Sequence, residues 1–101
     1  MNKKIYVSGP MTGMPKHNFP AFYKAERELK DQGFKVFNPA RNERNDKFTW
    51  EDYLRKDIKK LCECDHIYML NGWENSRGAQ LELHIAHRLG FNIMFEKHEI
   101  T

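Results

Sequence analysis

The chain has 101 residues, a formal net charge of +3 and 40% hydrophobic residues, including seven Phe, four Tyr and two Trp. This length allows one small domain with a single core, and we expect that domain to span residues 1–101. Basic and acidic residues are interspersed along the whole sequence. This distribution excludes the one-sided basic patch of a protein that binds nucleic-acid polymers.

The first residues carry no targeting signal. Only three consecutive apolar residues, at positions 5–7, precede the first Gly-Pro pair. This run is too short for a signal peptide or a membrane span, so we predict a cytoplasmic protein without membrane contact. Cys62 and Cys64 are then expected to be reduced. No second pair at metal-ligand spacing accompanies Cys62-x-Cys64-x-His66, and we predict neither a metal ion nor another cofactor.

Strand-like and helix-like segments alternate along the chain. Short runs of apolar, β-forming residues predict strands at 5–7, 34–37, 66–70 and 92–95. Helical periodicity with start and stop signals predicts helices at 19–31, 49–63 and 76–89. This alternation predicts right-handed β-α-β crossovers and a parallel sheet. The expected fold is α/β, a small flavodoxin- or Rossmann-like three-layer sandwich with a four-stranded parallel sheet and about three helices.

The second predicted helix begins after Thr49, a favourable N-cap residue. Asp52 stands where a capping box has Glu or Gln, and we expect its side chain to be too short for that role. The residues expected to form the buried line of this helix are Tyr53, Leu54, Ile58 and Leu61.

The third predicted helix begins with a pattern suited to an anion. The Ser76 hydroxyl can accept from backbone N–H groups of the first turn, and the helix dipole favours negative charge there. Gly78 lies one turn before Glu82 on the same face, so a ligand could reach the carboxylate past it. A phosphorylated substrate attacked by Glu82 fits this pattern. The alternative is a capped surface helix with a solvated glutamate.

Ligands of parallel α/β sheets bind beyond the carboxyl ends of the strands. Three turns follow predicted strands there, at Ser8-Gly9-Pro10, Asn38-Pro39-Ala40 and Asn71-Gly72-Trp73. The loop Gly9-Pro10-Met11-Thr12-Gly13 could wrap a phosphate with backbone N–H groups, although it matches neither common phosphate-binding glycine motif. A plain turn is the alternative for that loop.

Four other side chains have a structural interpretation. On pattern alone Asp57 is a solvated helix residue, and Asp65 is a structural residue at the amino edge of the sheet. Trp50 and Trp73 could stack on a base, but large aromatic side chains more often pack in a core.

Several motifs together resemble the nucleoside 2-deoxyribosyltransferase-like superfamily, especially its short members from phages and bacteria. The chain is also similar to 2′-deoxynucleoside 5′-monophosphate N-hydrolases. The likeness spans nearly all of the sequence. It rests on Ile5-Tyr6-Val7-Ser8-Gly9-Pro10-Met11-Thr12-Gly13, Phe37-Asn38-Pro39-Ala40, Asp57 with Asp65, and Gly72-Trp73 through Ser76-x-Gly78-x-x-x-Glu82.

The resemblance implies that Glu82 is the nucleophile and that Tyr6 holds the nucleophile or the sugar. It also implies that Asp57 and Asp65 belong to the site or its support. Ser76 stands where the hydrolase branch has a phosphate-contacting serine and where the transferases have aspartate. Thr12 replaces an arginine of that branch, and Arg41, Arg77 or Lys16 are the alternative sources of positive charge. Relatives are oligomers, so the resemblance implies a homo-oligomer.

The first functional hypothesis is therefore N-glycosidic bond cleavage or base exchange on a 2′-deoxynucleoside or its 5′-monophosphate. The expected catalytic residues are Glu82, Tyr6 and Asp57. The expected substrate-binding residues are Gly9, Pro10, Met11, Thr12, Gly13, Asn38, Asp65, Trp73, Ser76 and Gly78, with Trp73 or Phe19 against the base. The second hypothesis is a non-catalytic module that sequesters a nucleotide in the same pocket. The third is a scaffold protein whose helices mediate assembly.

Overall fold

One parallel sheet forms the centre of the protein. A computed structural model describes residues 3–97. The sheet contains four strands, β1 (Lys4–Ser8), β2 (Lys35–Phe37), β3 (His66–Met69) and β4 (Asn92–Phe95). Their order is β2-β1-β3-β4, and every neighbouring pair is parallel. The predicted sheet is confirmed, and β1 and β3 occupy its centre.

Three α-helices connect the strands, α1 (Phe19–Asp31), α2 (Trp50–Leu61) and α3 (Arg77–Arg88). Short 3₁₀ turns lie at Pro15–Asn18, Pro39–Arg41 and Trp73–Asn75. All three helices occur where the sequence predicts them, although α2 ends two residues before the expected Glu63. Among residues 3–97, no helix is both long enough and apolar enough to cross a bilayer.

The helices cover both faces of the sheet. Side chains of a strand alternate between its two faces, so Ile5 and Val7 point one way and Tyr6 the other. Ile5 and Val7 pack against α1 through Phe22 and Leu29, all of them buried. The opposite face packs against α2 and α3, and its buried residues are Tyr6, Leu61, Cys64, Ile67, Met69, Ala79 and Ala86. This arrangement is the predicted three-layer sandwich.

The start of α2 corrects one prediction. The Thr49 hydroxyl accepts from the Asp52 N–H at 3.1 Å, and the Asp52 carboxylate accepts from the Thr49 N–H at 2.9 Å. These two bonds form a complete capping box. The expectation that Asp52 is too short was wrong, because the extended backbone of Thr49 leaves its N–H within reach of a carboxylate one methylene shorter than that of Glu.

The expected buried line of α2 also needs correction. Leu61 is fully buried, whereas Tyr53, Leu54 and Ile58 are only half-buried. Tyr53 and Leu54 face a cavity at the carboxyl edge of the sheet instead of the core. The first half of α2 therefore forms a wall of that cavity, and its last turn anchors the helix to the sheet.

Candidate active site

Glu82 is a buried carboxylate beside the central strand. Its side chain projects from α3 toward β1, and the residue is only 5% exposed. Tyr6 donates its phenolic hydrogen to Oε2 of Glu82 at 2.8 Å. Ser8 donates its hydroxyl hydrogen to Oε1 at 2.6 Å. Each carboxylate oxygen therefore has one hydroxyl partner from β1, and the alternative of a solvated surface glutamate is wrong.

Burial changes the proton affinity of these groups. Burial raises the pKa of Glu82 to about 7, the hydrogen bonds from Ser8 and Tyr6 oppose that rise, and the charge of Asp57 adds to it. Burial, and then the charge of Glu82, raises the pKa of Tyr6 well above its usual value. Tyr6 therefore remains a hydrogen-bond donor, while Glu82 exchanges its proton near neutral pH.

Asp57 is a second carboxyl group in the same region. It lies on the inner side of α2, and the side-chain amide of Asn42 donates to its Oδ1 at 2.7 Å. Burial raises the pKa of Asp57 to about 6, against the hydrogen bond from Asn42 and the charges of Arg44 and Lys56. Asp57 is half-buried, so the expectation of a solvated residue from the pattern alone was wrong.

A cavity of about 360 Å³ lies beyond the carboxyl end of β1 and contains both carboxyl groups. This volume suits a small ligand such as a nucleoside. The polar residues that line it are Tyr6, Thr12, His17, Asn42, Arg44, Asp57, Ser76 and Glu82. The remaining lining residues are Gly9, Met11, Gly13, Phe22, Pro39, Trp50, Tyr53, Leu54, Gly78 and Ala79.

A second cavity of about 430 Å³ lies at the start of α3. The Ser76 hydroxyl accepts from the Ala79 N–H at 3.2 Å, which confirms the predicted N-cap. Gly78 borders both cavities, and a side chain added there would contact Trp50 and Leu54 at 3.8 Å. The residues common to both cavities are Met11, Thr12, Trp50, Ser76 and Gly78. The two spaces therefore adjoin along the first turn of α3.

Most of the predicted site residues lie around these spaces. The first cavity is lined by Tyr6, Gly9, Met11, Thr12, Gly13, Asp57, Ser76, Gly78 and Glu82. Pro10 lines the second cavity. The structure thus brings together residues from β1, the loop that follows it, α2 and the start of α3.

Asp65 does not belong to this group. Its Oδ1 accepts from the backbone N–H of Lys4 at 3.1 Å and lies 2.7 Å from a ring nitrogen of His66. Because it directly precedes β3, Asp65 lies at the amino edge of the sheet, opposite the cavity. The prediction of a substrate contact was wrong for this residue, which ties the starts of β1 and β3 together.

Two predicted aromatic contacts are also not found at the cavity. Trp73 packs against Phe95, with ring centroids 6.0 Å apart, and Phe19 packs against Tyr23. Neither ring lines the cavity beside Glu82. The reason is that both rings are half-buried against core residues, Trp73 on the α3 face and Phe19 on the α1 face.

The Asn38 side chain makes hydrogen bonds within the protein. Its amide donates to Oε1 of Glu26 at 2.9 Å, and its carbonyl oxygen accepts from the N–H of Ala40 at 2.9 Å. Asn38 borders a cavity of about 220 Å³ that adjoins the one beside Glu82, but it does not line the latter. The predicted substrate contact is therefore replaced by internal hydrogen bonds that hold the turn after β2.

The structure adds residues that the sequence analysis did not assign. Ser8 donates to Glu82 but does not line the cavity. Because every second side chain of a strand points to the same face, the sequence of β1 could have placed Ser8 beside Tyr6. Arg44 lines the cavity and lies over the rings of Phe19 and Tyr53, with its guanidinium 5.0 and 5.3 Å from their centroids. It comes from a polar segment with no distinguishing motif.

Two alternative sources of charge and the cysteine pattern also have defined positions. Arg41 makes two bonds to the Glu26 carboxylate, at 2.7 and 2.9 Å, and is therefore occupied. Arg77 lines the second cavity and lies over the Trp50 ring. In the described part of the chain, no three His, Cys, Asp or Glu side chains group as metal ligands. The buried Cys64 thiol donates to the backbone oxygen of Lys60.

The fold is shared with a solved enzyme. The 2-deoxyribosyltransferase from the psychrotolerant bacterium Bacillus psychrosaccharolyticus, described as a biocatalyst for nucleoside synthesis, superposes with a TM-score of 0.73. The alignment has 22% sequence identity and covers 97% of this chain and 77% of that one. A comparison with curated protein sequences finds no significant match. The family described as "Domain of unknown function (DUF4406)" matches residues 3–95. The chain therefore belongs to the DUF4406 family, within the nucleoside 2-deoxyribosyltransferase-like superfamily.

Proposed function

We propose that this protein cleaves the N-glycosidic bond of a 2′-deoxynucleoside or its 5′-monophosphate, with Glu82 as the nucleophile. The observation that carries the proposal is the buried Glu82 carboxylate, held by Tyr6 and Ser8, at the wall of a nucleoside-sized cavity. Membership of the superfamily and the fold shared with a 2-deoxyribosyltransferase support the same reaction class.

The proposed reaction has two steps at the anomeric carbon. In the first, the bond to the base breaks and its electron pair leaves with the base, while a Glu82 oxygen bonds to the anomeric carbon. A carboxylate suits this step because the sugar passes through an oxocarbenium-like state of positive charge. In the second, water or another base attacks that carbon and loses a proton, and the electron pair returns to Glu82. The base released in the first step takes up one proton, so the numbers of protons gained and lost are equal. Water gives hydrolysis and a second base gives base exchange.

The neighbours of Glu82 have distinct proposed roles. Tyr6 fixes the orientation of the carboxylate through its bond to Oε2. Asp57, which lines the same cavity from α2, orients the sugar. The hydrogen bond from the Asn42 amide fixes the orientation of the Asp57 carboxylate. Gly78 leaves the helix surface beside Glu82 without a side chain, which allows a sugar to approach.

A 5′-phosphate would lie toward the start of α3. Backbone N–H groups of the first helical turn and the loop Gly9–Gly13 border this space, and a helix N-terminus favours an anion. Thr12 supplies no charge there. Arg44, which lines the cavity, and Arg77, which lines its extension, are the cations best positioned to replace the arginine of the hydrolase branch.

Trp50 is the proposed wall for the base. It borders both cavities and is 43% exposed. The Arg77 guanidinium lies over one face of its ring, so a base would stack on the other face. Trp73 and Phe19 were the expected residues, but both pack elsewhere. Stacking on an aromatic ring tolerates different bases, because every base has a π-face.

The experiment that tests the proposal is a substrate panel. Purified protein is incubated with each 2′-deoxynucleoside and each 5′-monophosphate, with and without a second free base, and the products are separated by chromatography. We expect free base from at least one substrate, or exchange when a second base is present. The same panel with Glu82→Gln should release no base, whereas Glu63→Gln, at an exposed residue of the turn after α2, should match the wild type. Absence of base release and exchange from the whole panel would contradict the proposal.

A binding module that does not turn over its ligand is the second candidate. One observation favours it, since both Glu82 oxygens already accept a hydrogen bond, which weakens a nucleophile. This candidate predicts a ligand-dependent rise in melting temperature with intact ligand recovered. The scaffold hypothesis predicts no such rise. The homo-oligomer implied by the resemblance stays a prediction, and light scattering after size-exclusion chromatography tests it.

A further inference from the structure

The Ser8 hydroxyl, which donates to Glu82, has no role in the proposed reaction. Ser8 is 1% exposed, and its Oγ lies 2.6 Å from Oε1 of Glu82, closer than Tyr6 lies to Oε2. Ser8 does not line the cavity, so it has no direct access to a substrate there. Any contribution of Ser8 to chemistry must therefore act through the carboxylate.

The strand geometry explains why the two hydroxyls meet one carboxylate. Tyr6 and Ser8 are two residues apart on β1, so both side chains point to the face covered by α3. The backbone of Ser8 is held against β3, because Ser8 pairs with Met69 and its carbonyl accepts from the Leu70 N–H at 2.8 Å. The hydroxyl is therefore presented from a rigid central strand instead of a loop.

A carboxylate this deeply buried has a strong physical need for such partners. Moving an ionised carboxyl group out of water is costly unless donors replace the lost solvent. Hydrogen bonds to an ionised acceptor are about twice as strong as bonds between neutral groups, and they favour the charged form. The short Ser8 contact has the geometry of such a charge-assisted bond.

We propose that Ser8 is a positioning residue for Glu82. Its hydroxyl holds Oε1 while Tyr6 holds Oε2, so that the carboxylate plane is fixed and the ionised form is favoured at the wall of the cavity. This inference rests on the proposed function for its catalytic consequence, but the effect of Ser8 on Glu82 is a property of the protein alone. Ser8 supplies no atom to the reaction.

The effect of Ser8 on the titration of Glu82 must be distinguished from the effects of other charged groups near the carboxylate. Tyr6 faces Glu82 from β1 and Asp57 faces it from α2, and the charge of Asp57 opposes ionisation. His17 and Arg44 line the same cavity from the two connecting loops. Substitution of Ser8 leaves these four groups in place, so a change in the titration of Glu82 can be assigned to the lost hydroxyl.

The test measures Glu82 directly. Protein labelled with ¹³C at the glutamate carboxyl carbon is titrated by NMR, and the Glu82 resonance is assigned from its absence in Glu82→Gln. We expect Ser8→Ala to raise the pKa of Glu82 above the wild-type value, and Ser8→Thr, which keeps a hydroxyl, to restore it. Ser76→Ala removes a serine hydroxyl that does not touch the carboxylate, and it should leave the titration unchanged. If Ser8→Ala does not fold, Ser8→Cys is titrated, and its weaker thiol donor should also raise the pKa.

Kinetics distinguish the two proposals. We expect Ser8→Ala to lower kcat/KM for base release about tenfold near pH 6, the scale of one charge-assisted hydrogen bond, and much less near pH 9. An equal loss at both pH values would indicate a merely structural role. An unchanged Glu82 titration in Ser8→Ala, or in Ser8→Cys if that is the folded variant, would overturn the Ser8 inference. A raised pKa without base release by the wild type would support the Ser8 inference and contradict only the proposed reaction.

Discussion

The phenol of Tyr6 and the carboxylate of Glu82 lie 2.8 Å apart, although 76 positions separate the two residues in the sequence. Tyr6 is 1% exposed, so little water competes for this bond. We predict that Tyr6→Phe keeps the fold and lowers kcat for base release about 10- to 100-fold, because one hydrogen bond to a charged group is lost. Steady-state kinetics with the best substrate of the panel, beside a thermal melt, checks this. A variant with wild-type kcat would show that Tyr6 serves only packing.

Burial of Glu82 should make the free energy of unfolding depend on pH. Its pKa is raised from 4.5 to about 7. Below pH 4.5 the group is protonated in both states and has no effect. Between 4.5 and 7 the unfolded chain releases the proton that the folded chain keeps, so stability falls as pH rises, by up to about 3 kcal/mol.

Glu82→Gln removes this dependence. We predict that the variant is more stable than the wild type near pH 8, and that this difference disappears near pH 4. Denaturant unfolding at the two pH values gives the comparison. Glu63→Gln is the control, because it makes the same substitution at an exposed residue that does not line the cavity. An equal effect of Glu82→Gln at both pH values would contradict the raised pKa.

Trp50 should report ligand binding. It borders both cavities, whereas Trp73, the second tryptophan of the chain, packs against Phe95. In a Trp73→Phe background, we predict that a bound nucleoside or nucleotide quenches the emission of Trp50. Trp50→Ala should raise KM by about 5- to 100-fold, the scale of one base stacked on the ring. It should lower kcat by a smaller factor. Unchanged Trp50 emission, under conditions where the ligand raises the melting temperature, would place the base elsewhere.

Glu26 is expected to stabilise the fold without taking part in the reaction. Hydrogen bonds from Arg41, and also from Lys30 and Asn38, lower the pKa of Glu26 to about 2 against the opposing effect of burial. This stabilisation is present above pH 4.5 and is lost as pH falls toward 2. It amounts to at most about 3 kcal/mol, and to less if solvent screens the two exposed cations.

Substitution of Glu26 tests the contribution of these hydrogen bonds to stability. We predict that Glu26→Gln lowers the free energy of unfolding at neutral pH and that the deficit shrinks in acid. Glu28→Gln, at an exposed position of the same helix, is the matched control. Chemical unfolding of both variants at neutral and acidic pH provides the measurement. A Glu26→Gln protein as stable as the wild type at neutral pH would contradict the role of this ion pair.

Local patterns predicted the fold and the part of the site that is close in sequence. Ser76, Gly78 and Glu82 lie within two turns of one helix, so their relation follows from helical geometry. The pairing of Glu82 with Ser8 depends on how α3 docks on β1, which no local pattern records. Arg44 lies in an irregular loop, where position depends on tertiary contacts.

The wrong site assignments have a common physical origin. Asp65 directly precedes a strand, and the edge of the sheet on which such a residue lies decides whether it can meet a ligand. Both tryptophans are possible stacking residues by their chemistry, but the packing of α2 and β4 leaves Trp50 exposed and covers Trp73. Side-chain chemistry alone could not separate these cases, because burial is decided by the assembled layers.

The role of Glu82 is tested most directly by the rate of base release from the best deoxynucleoside or deoxynucleotide, measured for wild type and Glu82→Ala. Melting curves first establish that the variant is folded. We predict a loss of at least about 1,000-fold, because the group that bonds to the anomeric carbon is removed. A folded Glu82→Ala protein that releases base at the wild-type rate would contradict the proposed mechanism.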